Sequence, residues 1–380
     1  MKSNFLYSFA IFSLFFIFGC KQSDKEKSTK ISTVINSIKY AKGLELYKYK
    51  GFRIMKVTKP WPEATTEFIY ILKEKGVVVP DSLKQFPIIS IPLQSIVTTS
   101  TTHIPALEML GVENTLIGFP STNFISSSKT RKRIDAGKVH EVGVNEHLNT
   151  EILINLKPDA IVTFGINNNN STIDNLKKGG LSVLINGDWT EQSPLGKAEW
   201  IKFFGALYNL DDAANSIFKS IEQNYTTALD LAKKTTSIPT VLSGAMYQDQ
   251  WYVPQGESWA SLFLKDAKAN YLWNNTKGIG SLSLPFEKVF EKGQNAEFWI
   301  APGDYFSLKQ MSESNSHYTE FASFKNKKVY SYAVNKGSKG GIIYFELASA
   351  RPDLVLKDLI KIFHPKLLPN YKPFFFKKLE

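Results

Sequence analysis

The chain has 380 residues, 43% of them apolar, which is enough for a sizeable buried core and, at roughly 100–200 residues a domain, indicates two domains. Its single cysteine, Cys20, excludes an intrachain disulfide, a CxxC redox pair and any site in which several cysteines hold zinc or an iron–sulfur cluster. The net charge of +11 suits anionic partners, but the clusters of basic residues are short, which argues against a nucleic-acid-binding protein.

The N-terminal segment is typical of an exported lipoprotein. Lys2 precedes a 14-residue run, 5–18, broken only by two serines. The run is shorter than the ~20 residues that span a bilayer, and it suits a signal peptide. It ends at Gly-Cys and resembles a bacterial lipobox, so we expect residues 1–19 to be cleaved and Cys20 to be lipidated. The alternative is a signal anchor with an incidental cysteine.

Residues 20–37 are polar and indicate a flexible tether between the lipidated cysteine and the folded chain. An N-terminal extension, 38–83, contains two predicted strands, 52–57 and 68–72. From residue 84 to 193, short apolar runs alternate with helical patterns, which is typical of a parallel α/β lobe. The predicted strands there are 88–91, 95–98, 115–118, 160–164 and 182–185, and the predicted helices are 105–110, 150–156 and 172–178.

Residues 194–236 break this alternation. Apolar residues recur at three-and-four spacing, no proline lies between Pro194 and Pro239, and Gly205 is the only glycine from 197 to 234. The spacing predicts one helix of up to ~35 residues, or two abutting helices, spanning roughly 50 Å as an interdomain connector.

Strand and helix patterns then return over 237–380. The predicted strands are 239–243, 250–253, 297–301 and 328–332, and the predicted helices are 258–264, 285–291 and 344–363. The sequence therefore predicts two Rossmann-like α/β lobes joined by a single long interdomain helix, with a ligand cleft between the lobes.

Several segments are similar to one known family. They are 100–111, 115–118, 142–143, 149–162, 251–258, 284–289 and 351–354, of which 149–162 (NTEILINLKPDAIV) carries the most specific match. Across 84–364 the chain resembles the substrate-binding proteins of bacterial ABC importers for iron–siderophore complexes, haem and cobalamin. The resemblance implies a monomer that captures a small metal chelate and hands it to a membrane permease with its cytoplasmic ATPase.

Large planar ligands suit aromatic walls with a few convergent polar groups. Seven aromatic residues lie in predicted loops or at strand ends, although each of them also suits core packing: Phe119, Phe124, Trp189, Tyr247, Trp251, Tyr252 and Trp259. Trp189 and Trp251 adjoin polar turn residues and are the favoured candidates.

Three polar residues are further candidates for ligand contacts. Arg131 and Arg133 follow a polar loop and suit the carboxylate or catecholate oxygens of an anionic ferric siderophore, unless they lie on a solvated helix face. Asn145 aligns by spacing with a ligand-contacting position of cobalamin-binding relatives, where tryptophan is usual.

By the same resemblance, Glu151 and Glu287 correspond to the surface glutamates, one on each lobe, that pair with arginines of the permease. Each would begin a helix, where a carboxylate also interacts favourably with the helix dipole.

Other classes of protein fit less well. The chain has no GxSxG, Walker A or GxGxxG motif, and His140-Glu141 lacks the second histidine of HExxH, so we expect no enzyme. A zinc or manganese receptor using His103, His147 and Glu108, or a purely structural surface lipoprotein, are the remaining alternatives.

We therefore expect a receptor for a ferric siderophore-type complex, with cobalamin and then haem as alternative ligands. It would have no cofactor or resident metal and would bind no nucleic acid. It would be held to a bacterial membrane by its lipid anchor, on the periplasmic or extracellular face.

Overall fold

A mixed sheet opens the described part of the chain. The computed structural model describes residues 35–145, 147–167 and 171–380, so the predicted signal peptide, Cys20 and most of the predicted tether lie outside it. The four strands of this N-terminal sheet are β1 (Leu44–Tyr49), β2 (Phe52–Val57), β3 (Phe68–Glu74) and β4 (Ile88–Ile91). Strands β1 to β3 pair antiparallel, and β4 runs parallel to β3.

One predicted strand belongs to a different sheet from the one expected. Residues 88–91 do form a strand, but Ile88 pairs with Ile71 of β3, so β4 extends the N-terminal sheet rather than the first α/β lobe. The strand's apolar alternation is the same in either sheet, and only the long-range pairing distinguishes them.

The first lobe contains a five-stranded parallel sheet in the order β11-β10-β5-β6-β7. Its strands are β5 (Ile96–Thr98), β6 (Leu116–Phe119), β7 (His140–Glu141), β10 (Ala160–Thr163) and β11 (Val183–Ile185), with β8 (Gly143–Val144) and β9 (His147–Leu148) as a separate pair. Its helices are α1 (Ile104–Met109), α2 (Ser128–Asp135), α3 (Thr150–Leu156) and α4 (Ser171–Lys178). The apolar runs predicted as strands are buried on both faces, as expected of a parallel sheet covered by helices.

The connector consists of three helices, α5 (Pro194–Glu199), α6 (Ile201–Leu207) and α7 (Asp211–Ala232). The expected ~35-residue helix is therefore interrupted, and its longest part, α7, has 22 residues and a length of roughly 33 Å. Asn209 adopts a left-handed conformation (φ 57°), which ends α6. A Cβ at Gly205 would lie 2.5 Å from the Cβ of Ala214, so α6 folds back tightly against the start of α7.

Helix α7 joins the two lobes through their hydrophobic cores. Phe218 and Ile221, in its first half, pack in the core that includes the first lobe. Tyr225, Ala228 and Ala232, in its second half, pack in the core of the second lobe. The amphipathic stripe read from the sequence thus reflects burial in two successive cores.

The second lobe contains a five-stranded sheet in the order β15-β12-β17-β18-β19 and an antiparallel three-stranded sheet, β13-β14-β16. Its strands are β12 (Thr240–Ser243), β13 (Ala245–Tyr247), β14 (Gln250–Pro254), β15 (Asn270–Tyr271), β16 (Ser281–Leu284), β17 (Phe298–Ile300), β18 (Val329–Ser331) and β19 (Lys377–Lys378). In the larger sheet only β19 is antiparallel.

The helices of this lobe are α8 (Trp259–Asp266), α9 (Phe286–Gly293), α10 (Leu308–Ser314), α11 (Ala322–Lys325), α12 (Ile343–Leu347) and α13 (Pro352–Phe363). The helix predicted over 344–363 is split, because Pro352 disfavours helical backbone at the residue before it and begins α13 instead. The predicted fold class, two α/β lobes with parallel sheets joined through a helix, is confirmed.

The N-terminal sheet is fixed to the connector by buried charges. The carboxylate of Glu199 accepts hydrogen bonds from the backbone N–H groups of Lys39, Tyr40 and Ala41. Arg53, which is 2% exposed, pairs with Asp211 at the start of α7. Within residues 35–145, 147–167 and 171–380, no helix is both long and apolar enough to cross a bilayer.

Candidate functional site

A cavity of about 680 Å³ opens in the second lobe at the carboxyl ends of its parallel strands, where α/β sheets bind ligands. Its lining includes residues that directly follow β12 and β17, and Tyr332, which follows β18. We call it the second-lobe cavity. Most of its wall is apolar, and nine aromatic side chains contribute to it: Tyr247, Tyr252, Trp259, Phe263, Tyr305, Tyr332, Tyr344, Phe345 and Phe376.

Five of these aromatic rings form two groups. Tyr247 and Tyr252 lie on the β13–β14 hairpin with ring centroids 6.4 Å apart, and both side chains are exposed. Tyr332 stacks on Tyr344 at 4.4 Å, and Phe345 meets Tyr332 edge-on at 5.4 Å. The cavity therefore offers both ring faces and ring edges to an occupant.

A second cavity, of about 270 Å³, lies at the carboxyl ends of the first-lobe strands. We call it the first-lobe cavity. It is lined by Phe119 and Phe164 at strand ends, by Phe124 in a short 3-10 helix, by Asn145 in a loop, and by Phe345 from the second lobe. Because Phe345 also lines the second-lobe cavity, the two cavities adjoin and both lobes contribute to one cleft.

The two lobes touch directly beside this cleft. Glu346 of α12 accepts hydrogen bonds from the backbone N–H groups of Ser126 (2.6 Å) and Ser127 (2.9 Å) of the first lobe. A Cβ at Gly341 would lie 2.6 Å from the carbonyl oxygen of Phe124. Burial, opposed by the two N–H donors, raises the pKa of Glu346 to about 7, and the neighbouring Glu108 carboxylate adds to the rise.

The structure places six of the predicted ligand contacts at the cleft. Tyr247, Tyr252 and Trp259 line the second-lobe cavity, and Phe124 and Asn145 line the first-lobe cavity. Phe119 also borders the first-lobe cavity, but with 2% of its surface exposed it belongs mainly to the core. Contact of these residues with a ligand stays a prediction.

Trp251, a favoured candidate, is wrongly predicted as a cavity wall. Its side chain is fully buried, stacks on Trp299 at 5.2 Å, and donates its indole N–H to the carbonyl oxygen of Ser243 at 3.1 Å. Along β14 successive side chains alternate between the two faces, so Tyr252 points outward where Trp251 points inward. Trp189, the other favoured candidate, is partly exposed and is not among the residues that line either cavity.

The two arginines are wrongly predicted as anion contacts. Arg131 is buried and donates to the carbonyl oxygen of Thr122 at 2.6 Å and to the carboxylate of Asp135 at 3.2 Å. Arg133 donates to the carbonyl oxygens of Asn114 and Leu116. Both guanidinium groups fix the first lobe's own backbone, and neither residue is among those that line the second-lobe or first-lobe cavity.

Sequence reasoning missed Tyr332, Tyr344, Phe345 and Asp304, all of which line the second-lobe cavity. Two of them, Asp304 and Tyr332, could have been found from their positions in the sequence. Asp304 and Tyr332 follow the carboxyl ends of strands β17 and β18, which were predicted from the sequence, and such ends lie at the ligand-binding edge of a parallel sheet.

Glu151 and Glu287, the predicted docking residues, are both exposed and lie in the first turns of α3 and α9. Asn149 caps α3 by accepting a hydrogen bond from the backbone N–H of Ile152 at 3.0 Å. Within the described part of the chain, neither carboxylate forms an ion pair, which leaves both available to a cationic partner.

The alternative metal site is not assembled. Among the described residues, no group of three histidine, cysteine, aspartate or glutamate side chains lies close enough to hold a metal ion. His103 is fully buried beside Phe204, and burial lowers its pKa to about 4. Glu108 instead accepts hydrogen bonds from Ser127 and Thr130, both at 2.5 Å.

Several known proteins are similar to this chain. An uncharacterized lipoprotein of Methanocaldococcus jannaschii is 27% identical over 395 aligned positions, which cover 95% of this chain and 92% of the relative. A crystal structure of a possible iron-binding, periplasmic solute-binding protein of Staphylococcus epidermidis superposes with a TM-score of 0.55 and 18% identity, covering 72% of this chain and 100% of the other.

A periplasmic haem-binding protein of Pseudomonas aeruginosa superposes with a TM-score of 0.56 and 16% identity, covering 76% of this chain and 98% of the other. At these identities the structures share the fold. The family model described as periplasmic binding protein matches residues 96–334, well over half of the chain. The chain therefore belongs to the periplasmic binding protein family.

Proposed function

We propose that this protein captures a ferric siderophore-type complex in the cleft between its lobes and delivers it to the permease of an ABC importer. The observation that carries the proposal is the aromatic second-lobe cavity at the carboxyl ends of the sheet, which shares Phe345 with the first-lobe cavity. Its volume of about 680 Å³ falls within the roughly 300–1,000 Å³ of small-molecule sites. The organic rings and chelating groups of such a complex are large and partly planar, and they suit walls made of aromatic rings.

The connector supports a receptor that changes shape little on binding. Helix α7 packs into both cores, and Glu346 holds α12 against Ser126 of the opposite lobe. These contacts limit the relative movement of the lobes, so the site is largely formed before the ligand arrives. A preformed site lowers the cost of ordering the protein on binding.

Fluorescence titration tests the proposal directly. The protein without residues 1–20 would be titrated with ferric siderophores, haemin, cyanocobalamin and Zn²⁺, and the quenching of its tryptophan emission followed. We expect saturable quenching by a ferric siderophore at micromolar or tighter affinity, because Trp259 lies in the cavity wall. Tyr252→Ala should weaken this binding, whereas Tyr49→Ala, in the N-terminal sheet, should leave it unchanged.

Other outcomes of the titration reassign the ligand or the class. Quenching by haemin or cyanocobalamin alone would replace the ferric siderophore by that ligand. A response to Zn²⁺ alone would contradict the aromatic cavity as the site, and no response to any of the four classes would refute the receptor function.

Delivery to the permease needs a docking surface, and we assign it to Glu151 and Glu287. Both carboxylates are exposed, one on each α/β lobe, and carry the negative charge that arginines of a permease would pair with. Exposed charges of this kind mainly set orientation and the rate of encounter.

Lipidation at Cys20 would keep the receptor near its permease. An acyl chain on this residue would anchor the protein to the outer face of a membrane, from which the polar residues after it would extend. Cys20→Ser should move the protein from the membrane fraction to the soluble fraction, and a variant that stays with the membrane would refute the anchor.

A further inference from the structure

The walls of the cleft carry very little charge. Among the described residues that line the second-lobe and first-lobe cavities, one side chain is charged, the carboxylate of Asp304, and there is no lysine or arginine. The chain as a whole carries 46 basic residues against 35 acidic ones. The cleft therefore has the opposite charge balance to the rest of the molecule.

Three cations, Lys197, Arg131 and Arg133, are engaged with the protein's own backbone rather than with the cleft. Lys197 lies against the ring of Trp259, with Nζ 5.4 Å from the ring centroid, but it donates hydrogen bonds to the carbonyl oxygens of Asp188 and Trp189. Arg131 and Arg133 bind backbone carbonyl oxygens of the first lobe. None of the three lines the second-lobe or first-lobe cavity.

The electrostatics of such a cleft disfavour anions. A multiply anionic chelate that leaves water for this cavity would lose its hydration without gaining a cationic partner, and it would meet the Asp304 carboxylate. A neutral chelate has no such cost, and a cationic group gains attraction both from the carboxylate and from the faces of the aromatic rings.

We infer that the bound species is a neutral or cationic metal chelate rather than an anionic one, and that Asp304 is the residue that determines this specificity. The inference rests on the proposed function and narrows its substrate class. It replaces the anionic siderophore expected from Arg131 and Arg133.

The position of Asp304 suits this role. It follows Gly303, whose positive φ of 85° turns the chain after β17, and its carboxylate remains exposed at the cavity. Burial, together with the negative charge of Asp304, raises the pKa of Tyr332 to about 12. The carboxylate thus acts electrostatically on a ring of the cavity wall.

The test is a set of ferric chelates that differ in charge. A ferric trihydroxamate with a free ammonium group would be compared with its N-acetylated, neutral form and with a ferric tris-catecholate of charge −3, each titrated by fluorescence at low and high salt. We expect the cationic form to bind roughly five- to tenfold more tightly than the neutral form, and the tris-catecholate to bind most weakly. High salt should reduce the preference.

Variants assign the preference to one side chain. Asp304→Asn should abolish the difference between the cationic and neutral trihydroxamates, and Asp304→Lys should reverse it. Glu297→Gln is the matched control, because Glu297 is an exposed carboxylate at the opposite end of the same strand, β17, and should keep the wild-type preference.

The outcomes distinguish a failure of the charge specificity from a failure of the proposed receptor function. Equal binding of all three chelates, or tightest binding of the tris-catecholate, overturns the charge specificity and leaves the ferric receptor intact. A preference that persists in Asp304→Asn overturns the assignment to Asp304. If none of the three chelates binds, the proposed function fails together with the inference.

Discussion

The carboxylate of Glu346 in the second lobe accepts a hydrogen bond of 2.6 Å from the backbone N–H of Ser126 in the first lobe. The same carboxylate accepts a second hydrogen bond from the neighbouring Ser127, so one side chain bridges the lobes beside the cleft. Because the group is mostly buried, its state of ionisation affects how firmly the lobes hold together.

Stability should therefore depend on pH through Glu346. Burial raises its pKa in the folded protein from 4.5 to about 7, so between these values the folded state binds more protons than the unfolded state. Its contribution is fully present below pH 4.5 and is lost as pH rises through 7, by at most about 3 kcal/mol. Urea unfolding across pH 4.5–7.5 should show a shallower fall in Glu346→Gln than in wild type. Glu297→Gln should keep the wild-type slope, and equal slopes in all three proteins would contradict the assignment.

Close packing of the lobes should make Gly341 sensitive to a single methyl group. In Gly341→Ala the new Cβ would lie 2.6 Å from the Phe124 carbonyl oxygen, so the lobes must shift apart. We expect a loss of about 1–3 kcal/mol in the free energy of unfolding, together with weaker ligand binding. Gly280→Ala is the control, since its nearest neighbour would be 3.5 Å away. Equal stability of the two variants would show that the lobe contact is loose.

Two adjacent aromatic residues should respond in opposite ways to truncation. Trp251→Ala removes a fully buried ring that contacts Trp299, so we expect a loss of about 3–5 kcal/mol in the free energy of unfolding. Tyr252→Ala removes a ring that is 43% exposed, and it should weaken ligand binding with little loss of stability. Chemical unfolding and fluorescence titration of both variants measure the two effects. A stable Trp251→Ala protein with impaired binding would contradict this assignment and show that Trp251 contacts the ligand.

Removal of the docking glutamates should separate uptake from binding. In Glu151→Ala with Glu287→Ala, we expect normal ligand affinity but strongly reduced uptake by cells, because the permease loses both contacts. Each substitution should cost about 0.3–1 kcal/mol of stability through the lost interaction with a helix N-terminus. Glu67→Ala with Glu297→Ala removes two other exposed carboxylates and should leave uptake intact. Normal uptake in the Glu151 and Glu287 double variant would refute the docking surface.

The strands and helices were largely predictable because their signals are local. Apolar runs such as 160–164 and the helix 150–156 reappear in the structure within a residue or two. Pairing between distant strands leaves no comparable signal, which is why 88–91 was assigned to the wrong sheet. The break in the connector could not be predicted either, because the left-handed turn that causes it uses Asn209 rather than a glycine or a proline.

The candidate site was less predictable, because it depends on which face of an element points where. Trp251 and Tyr252 are neighbours in sequence, and only the register of β14 decides which of them is buried. Arg131 and Arg133 lie on a short helix whose contacts with backbone carbonyl oxygens arise from the tertiary packing. Residue type indicated aromatic walls together with two cationic contacts, and the packing turned both arginines away from the two cavities.

Helix α7 couples the folding of the two lobes. Phe218 lies in one hydrophobic core and Tyr225, two turns later, lies in the other, so neither core is complete without the same helix. Loss of either core would strip half of the packing from α7 and weaken the other core in turn. The two lobes should consequently unfold in a single cooperative transition. A fragment that ends within α7 would contain only part of this helix, so its hydrophobic core would be incomplete and it would remain unfolded. The lobes are modules in shape, but they are one unit in folding.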